Sequence, residues 1–218
     1  MLRWLTIIAT LGMIAVNGLA NGLPINGKTT GDIADGFDIL FTPAGYVFSI
    51  WGLIYFGLLG FALVQALPTR RDDPALAAIR PWFLLNAVGN ASWIVAWHHE
   101  QFVLSWFVML MILGSLVAIY RKLLAHPPAG ALNVLVVQPP FRIDRGWVTV
   151  ATIANTTVTL SALGFAGVLA DPTVTIALLV AATAVCTAVS LRFRDPVYAA
   201  VFVWAEIGIA VANPGHPT

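Results

Sequence analysis

Charged residues are scarce in this sequence. The 218-residue chain contains 11 Lys+Arg and 10 Asp+Glu, so that 10% of its residues are charged while 59% are hydrophobic, and its mean hydropathy is +0.87. An ordinary soluble domain is about 25% charged, and so few charges could not cover the apolar surface of a soluble fold of this length. The net charge of +1 says nothing about nucleic acid, but the sequence has no basic stripe and no run of like charges, so no nucleic-acid partner is expected. These absences indicate a protein whose main solvent is the lipid bilayer.

Cysteine and lysine are nearly absent as well. Because Cys186 is the single cysteine, an internal disulfide is excluded. Its position in an apolar run favours a packing role. The only lysines, Lys28 and Lys122, lie in loops or at helix ends, so no buried lysine is there to hold retinal as a Schiff base. Motifs of phosphate loops, zinc proteases and Ser-His-Asp hydrolases are missing. The run His98-His99-Glu100 is a poor metal site, because adjacent residues do not share a helix face.

The sequence does contain long apolar runs. A bilayer core about 30 Å thick is crossed by about 20 apolar residues in a helix. Runs of roughly this length occupy residues 4–23, 44–66, 80–97, 102–124, 147–170, 172–191 and 197–212. A β-barrel would need short strands of alternating polarity instead. We therefore predict an all-α, polytopic membrane bundle of about seven transmembrane helices, of which the last is short.

The basic residues predict the orientation of the bundle. With a cytoplasmic N-terminus, all basic residues except Lys28 fall on the cytoplasmic side, as the positive-inside rule requires. The C-terminus is then outside, and the short inner loops suggest a bacterial plasma (inner) membrane. The first run also has features of a cleaved signal peptide, so the retention of residues 1–22 stays open, although the charge pattern favours it. The basic residues on the predicted cytoplasmic side are Arg3, Arg70, Arg71, Arg80, Arg121, Lys122, Arg142, Arg145, Arg192 and Arg194.

Two predicted loops have features of their own. The segment 24–43 is the longest on the outer side and carries aspartates at positions 32, 35 and 38. It either folds over the helix ends as a lid or is a solvated connector. The inner loop 126–145 contains an apolar piece at 131–137, which is too short to span a bilayer and is expected to lie along the cytoplasmic interface.

Amide and aromatic residues form stripes on the predicted helices. The third helix carries Asn86, Asn90, Trp93 and Trp97 at spacings of 4, 3 and 4 residues, so all of them share one face. On the fifth helix the same kind of spacing aligns Trp147, Ala151 and Asn155. The second helix has Trp51 and Tyr55 four residues apart, with Tyr46 and Phe48 before them.

These stripes allow two interpretations. One is an aromatic pocket for a flat apolar ligand, in which indole rings supply contact and amides orient the ligand. The other is helix packing, with amides bonded between helices and tryptophans at the membrane interfaces, where Trp4, Trp82 and Trp204 need no further role. Glu206, a carboxylate deep in the last run, is likewise either a proton or cation site or a carboxyl that stays protonated or bonds a neighbouring helix.

Three segments together resemble the TspO/MBR family of tryptophan-rich sensory proteins, which includes the mitochondrial translocator protein. Residues 43–55, PAGYVFSIWGLIY, are similar to the family's second-helix motif. Residues 90–93, NASW, are similar to its Asn-x-x-Trp on the third helix. Residues 147–155, WVTVATIAN, are similar to its Trp-x-x-x-Ala-Thr-x-x-Asn on the fifth. The family's sterol-type motif at the end of the fifth helix is absent.

The resemblance implies a division of the chain and a ligand site. Residues 1–170 would form the family's five-helix unit, and residues 171–218 would add two transmembrane helices. The pocket would take a porphyrin or a similar flat ligand, with the outer loop closing over it, and no cofactor is required. Trp106 resembles the family's pocket tryptophan on the fourth helix. The predicted ligand-binding residues are Tyr46, Phe48, Trp51, Tyr55, Asn90, Trp93, Trp106, Trp147, Ala151 and Asn155.

Three functions remain open at this point. The first is a ligand-binding membrane protein that acts as sensor, regulator or carrier, with a tetrapyrrole or another apolar pigment as the bound molecule. The second is an accessory subunit of a larger membrane complex, or a homodimer, whose small residues in the sixth helix permit close helix approach. The third is a porphyrin-degrading enzyme, which some family members are reported to be, although the sequence shows no general acid or base on the pocket face.

Overall fold

The structure is a computed structural model that describes residues 1–37, 39–127 and 130–215, without the side chains of residues 131–133. In this part of the chain every regular element is helical. Short 3₁₀ turns lie at Ile25–Gly27, Gly45–Ser49 and Pro68–Arg70, and a π-helical turn lies at Ser161–Phe165. The α-helices are α1 (Leu2–Gly22), α2 (Thr30–Asp35), α3 (Ile50–Ala66), α4 (Pro74–His98), α5 (Phe102–Ala125), α6 (Ala131–Val136), α7 (Gln138–Leu160), α8 (Ala166–Leu169), α9 (Pro172–Phe193) and α10 (Pro196–Ala212).

Five helical segments in the described residues are long and apolar enough to cross a membrane. They are Leu2–Gly22, Gly45–Ala66, Phe102–Ala125, Val134–Leu169 and Pro172–Phe193. Helix α4 is long enough but is made more polar by Asn86 and Asn90, and α10 is apolar but has only 17 residues. The all-helical membrane class is therefore established, whereas seven as the number of spans stays a prediction.

The same dipeptide begins three of the long helices. Asp73-Pro74, Asp171-Pro172 and Asp195-Pro196 each place an aspartate at the N-cap and a proline at the first helical position. Each aspartate side chain accepts a hydrogen bond from a backbone N–H of the first turn, a group that has no partner within the helix. Proline has no N–H to satisfy there, and its fixed φ suits the first turn.

Helix α7 begins earlier than the sequence predicted. The predicted run starts at residue 147, after a loop, but the helix begins at Gln138 and includes Arg142, Asp144 and Arg145. Charged residues indicated a loop because charge is costly in hydrocarbon. Asp144 and Arg145 are instead buried against other helices. The apolar piece before α7 forms the short helix α6, Ala131–Val136.

Helices α1, α3, α4, α5 and α7 form a closed ring. Each contacts two of the others, in the order α1, α3, α7, α5, α4 and back to α1. Inside the ring Phe61, Phe83 and Phe141 pack edge to face, with ring centroids 4.9–6.1 Å apart. The outer surface exposes large apolar side chains, as a lipid-facing surface does, among them Ile8, Leu11, Phe56, Leu63, Val88 and Phe107.

Helix α10 packs along α7, and α9 packs against α10. The contact between α7 and α10 includes a buried ion pair in which Arg145 donates to Asp195 at 2.9 Å. The guanidinium carbon of Arg145 lies 3.6 Å from the ring centroid of Tyr120 and 4.7 Å from that of Tyr198. The last helix is thus joined to the ring by a specific polar contact; the division of the chain at residue 170 stays a prediction.

The two ends of the bundle differ in charge. At one end Arg80 donates to the side chain of Gln65 at 2.9 Å and to the carbonyl of Arg70 at 3.4 Å, while Gln65 donates to the carbonyl of Arg3 at 2.8 Å. At the other end Lys28 pairs with Glu100. This separation agrees with the predicted sidedness of the basic residues, and the assignment of the arginine-rich end to the cytoplasm stays a prediction.

Candidate functional site

A short helix covers the end of the ring that carries Lys28. Helix α2 begins with a capping box, in which Asp32 accepts from the N–H of Thr29 at 2.8 Å and its own N–H donates to the Thr29 hydroxyl at 3.2 Å. Hydrogen bonding to Thr29 holds the pKa of the Asp32 carboxyl below its ordinary value. The backbone N–H of Thr29 has the larger effect and its side chain the smaller. Of the other predicted loop aspartates, Asp35 ends α2, and Asp38 lies outside the described residues.

Hydrogen bonds attach this segment to the tops of α1 and α4. The indole N–H of Trp97 donates to the carbonyl of Thr30 at 3.2 Å, and the N–H of Thr30 donates to the side chain of Asn21 at 3.1 Å. Asn26 donates to the carbonyl of His98 at 3.3 Å. The described residues of the segment, 24–37 and 39–43, therefore fold over the helix ends, in agreement with the lid interpretation. We call residues 24–37 and 39–43 the lid.

Below the lid lies a group of five aromatic side chains, one from the turn Gly45–Ser49 and four from helices α3, α4 and α7. Trp51 is the centre, with ring centroids 5.6 Å from Phe48, 6.3 Å from Trp93 and 6.2 Å from Trp147. Trp97 stacks on Trp93 at 5.6 Å, so the predicted stripe of α4 does share one face. We call Phe48, Trp51, Trp93, Trp97 and Trp147 the aromatic cluster.

Two cavities lie on either side of this cluster. The outer cavity, of about 60 Å³, lies between the cluster and the lid. It is bounded by the lid residues Thr30, Ala34, Thr42 and Pro43, by the whole aromatic cluster, and by Val150, Ala151, Ala154, Asn155 and Val158 of α7. The inner cavity, of about 20 Å³, lies beneath the tryptophans and has room for about one water molecule.

The inner cavity is bounded by all five helices of the ring. Its lining comprises Met13, Trp51, Ile54, Tyr55, Leu58, Asn90, Trp93, Met109, Ile112, Asp144, Trp147, Val148 and Ala151. Trp51, Trp93, Trp147 and Ala151 border both cavities. The three indoles therefore lie between the two spaces.

Asp144 is a site residue that the sequence analysis missed. Its side chain lies in the inner cavity, it is 5% exposed, and it makes no hydrogen bond or ion pair with another described residue. Asp144, Trp147, Ala151 and Asn155 follow one another at spacings of 3, 4 and 4, so they share one face of α7. Extending the predicted stripe by one turn would have found it, but the charged residues around position 144 indicated a loop.

Some predicted site amides also bond between helices. Asn155 donates to the hydroxyl of Ser105 on α5 at 3.1 Å, and Asn86 donates to Ser115 on α5 at 3.1 Å. Asn90 donates to the carbonyl of Asn86 at 3.3 Å and lines the inner cavity. The packing interpretation is thus correct for Asn86, whereas Asn90 and Asn155 both pack and border a cavity.

The indole N–H of Trp93 is buried and has no hydrogen-bond partner among the described residues. A buried donor without a partner costs about 1–3 kcal/mol. Because Trp93 borders both cavities, this N–H is a donor that an occupant of either cavity could use.

Two predicted site residues lie away from the cavities. Tyr46 is 44% exposed, and its ring packs edge to face on Trp204 of α10 at 5.3 Å. Trp106 donates to the hydroxyl of Thr156 on α7 at 2.9 Å, so it joins two helices. The structure brings the other predicted residues together around the two cavities.

The remaining polar candidates have packing roles. Glu206 accepts a hydrogen bond from Thr183 on α9, in agreement with the neighbouring-helix alternative. His98 is buried at the end of α4 and bonds the carbonyl of Ile94 at 2.8 Å. In the described part of the chain, no group of three or more His, Cys, Asp or Glu side chains is arranged to hold a metal ion.

A family model described as TSPO-like protein matches residues 3–218, which include α9 and α10 as well as the ring. No curated protein and no solved structure matches the chain.

Proposed function

The chain belongs to the TSPO-like family, and from that premise we propose that it is a multi-pass membrane protein that binds a flat apolar ligand in the aromatic cluster. The observation that carries the proposal is the convergence of Phe48 and four tryptophans on a cavity closed by the lid. Indole rings offer large rigid faces, and the N–H of Trp93 and the amide of Asn155 offer polar contacts for orientation.

Binding requires the site to open. Pockets for drug-sized ligands measure about 300–1,000 Å³, whereas the outer cavity is about 60 Å³. The hydrogen bonds of the lid and its exposed pair of Lys28 and Glu100 are each of modest net energy, but Ile33, Ile39 and Phe41 of the lid are also buried in the core. Opening the lid must therefore expose apolar side chains to water, a cost that a bound ligand would offset. Sensor, regulator and carrier are the roles that such a ligand-dependent change serves.

A titration with protoporphyrin IX tests the proposal. In detergent, the wild-type protein should bind the porphyrin with saturable quenching of tryptophan fluorescence. The double variant Trp51→Phe, Trp147→Phe removes two of the indoles between the two cavities and should weaken binding by about tenfold or more, since 1.4 kcal/mol corresponds to a factor of ten.

The matched control is the double variant Trp4→Phe, Trp82→Phe. It also removes two of the chain's 8 tryptophans, but both are exposed and lie outside the aromatic cluster. Its affinity for protoporphyrin IX should equal that of the wild type. Equal affinities for both double variants, measured by porphyrin absorbance, would contradict the proposed pocket.

We further propose that the protein lies in a bacterial plasma membrane with its arginine-rich end in the cytoplasm. The positive-inside rule supports that orientation. A single cysteine introduced at Asp35, an exposed residue of the lid, in a Cys186→Ser background, should react with a membrane-impermeant thiol reagent added to intact spheroplasts. Labelling of that cysteine only after the cells are opened would show that the protein has the opposite orientation in the membrane.

A further inference from the structure

Asp144 is a buried carboxyl without a counter-charge in the described structure. Its nearest basic neighbour in sequence, Arg145, is engaged by Asp195 at 2.9 Å. The lining of the inner cavity contains no Lys, Arg or His. An ionised carboxylate costs several kcal/mol when it is removed from water without a partner, and an ionisable residue inside a membrane bundle is by default a candidate for function.

The other polar groups of the inner cavity are oxygen-bearing. Tyr55 contributes a phenol, and Asn90 contributes an amide whose N–H₂ already donates to Asn86, so that the carbonyl oxygen of Asn90 remains as an acceptor. The indole rings of Trp51, Trp93 and Trp147 border the cavity on its outer side. Carboxylate, acceptor oxygens and aromatic faces all attract a positive charge.

We propose that the inner cavity is a cation subsite, in which Asp144 holds the protonated amine of a ligand whose flat aromatic body lies in the aromatic cluster. This inference rests on the proposed function and narrows it to flat apolar molecules that carry a short basic arm. The amine would enter between the indoles that divide the two cavities, and its charge would neutralise Asp144.

The size and composition of the cavity favour an ammonium group over a divalent metal ion. The cavity is about 20 Å³ and offers one carboxylate. Ca²⁺ takes 6–8 oxygen ligands, and Mg²⁺ requires near-octahedral coordination and keeps several waters. A single ammonium group has three N–H donors, which the carboxylate of Asp144, the Tyr55 phenol and the Asn90 carbonyl could accept.

A pair of matched probes tests the subsite. 9-Anthracenemethylamine is cationic at neutral pH, and 9-anthracenemethanol is its neutral counterpart of nearly the same shape. Both accept energy from tryptophan, so binding near the aromatic cluster is read as anthracene emission after tryptophan excitation. The wild-type protein should bind the amine at least about tenfold more tightly than the alcohol, equivalent to 1.4 kcal/mol.

The decisive variant is Asp144→Asn, and its control is Asp72→Asn. Both remove one negative charge, but Asp72 is exposed in the loop before α4. Asp144→Asn should bring the ratio of the two affinities close to one, by weakening the amine and sparing the alcohol. Asp72→Asn should keep the wild-type ratio, which excludes a general attraction of the amine to a negatively charged protein.

Each outcome separates the subsite from the pocket. A wild-type ratio near one, or a ratio that Asp144→Asn leaves unchanged, overturns the cation subsite while the aromatic pocket stands. If wild type binds neither probe but still binds protoporphyrin IX, the subsite is likewise overturned. If protoporphyrin IX also fails to bind, the proposed function fails and the subsite with it. Should Asp144→Asn not be recovered folded, the ratio measured on the wild type decides.

Discussion

Trp93 and Trp97 differ in one bond. They lie one turn apart on α4 and stack on each other. The N–H of Trp97 donates to the lid carbonyl of Thr30, whereas the N–H of Trp93 has no partner in the described part of the chain. Replacing either by phenylalanine removes a similar area of aromatic contact. Only the change at position 97 also removes a hydrogen bond between bundle and lid.

The two substitutions should therefore affect the lid differently. Trp97→Phe should lower the free energy of lid opening by about 0.5–1.5 kcal/mol, the usual net contribution of one hydrogen bond. Trp93→Phe should leave the opening of the lid close to that of the wild type. Hydrogen exchange of the backbone amides of α2 measures this directly, and equal exchange in the two variants would show that the bond to Thr30 does not hold the lid.

Residue-level patterns predicted most of the residues that border the two cavities. Helical spacing brought Trp93, Trp147 and Ala151 to one interior because apolar and aromatic stripes of this kind are buried in any bundle. Helical spacing does not determine which neighbour a residue at the edge of a stripe contacts. Tyr46 and Trp106 were therefore predicted to bind the ligand, but they lie outside both cavities. Asp144 was missed because its burial depends on a fold in which Arg145 is neutralised by Asp195, 50 residues away.

At the scale of elements, α10 approaches the ring closely at two glycines. A Cβ added at Gly208 would overlap the side chain of Val47, and one added at Gly146 of α7 would lie 3.0 Å from Cβ of Val201 on α10. The N–H of Ala44 also donates to the carbonyl of Gly208 at 3.0 Å. The last helix thus positions the segment Gly45–Ser49, which carries Phe48 of the aromatic cluster.

Gly208→Ala should disturb this contact. The extra methyl group must displace Val47, and overpacking of this kind costs about 1–3 kcal/mol. Gly114→Ala is the matched control, because Gly114 is also in a helix and has nothing within 4 Å of an added Cβ. Both changes gain the same helix propensity, so thermal unfolding in detergent should show Gly208→Ala below Gly114→Ala. A melting temperature at or above that of the control would contradict the close contact.

Element boundaries were predicted well where local chemistry sets them. The Asp-Pro pairs before α4, α9 and α10 are local start signals, and α9 and α10 begin within one residue of their predicted runs. Helix α4 begins at Pro74, six residues before its predicted run, although residues 74–79 are apolar and follow the same Asp-Pro signal. The start of α7 was wrong for a nonlocal reason, since charged residues that are paired or enclosed within a fold do not mark a loop.

At the scale of the whole molecule, the ring of α1, α3, α4, α5 and α7 encloses the aromatic cluster, and the lid closes one end of it. This arrangement separates the interior site from the lipid-facing surface. The surface has a larger groove of its own, about 560 Å³, between α3 and α10, lined by apolar residues such as Leu53, Val197 and Trp204. Volume alone would place a ligand there; the convergence of aromatic and polar groups favours the interior.

An experimental structure of the protein with protoporphyrin IX, determined in lipid nanodiscs, tests the interior site most directly. We expect porphyrin density in contact with Trp51, Trp93 and Trp147. Helix α2 should be displaced to make room, so that the hydrogen bond between Thr30 and Trp97 is broken. Porphyrin bound in the groove between α3 and α10, with the aromatic cluster and the lid unchanged, would contradict the interior site.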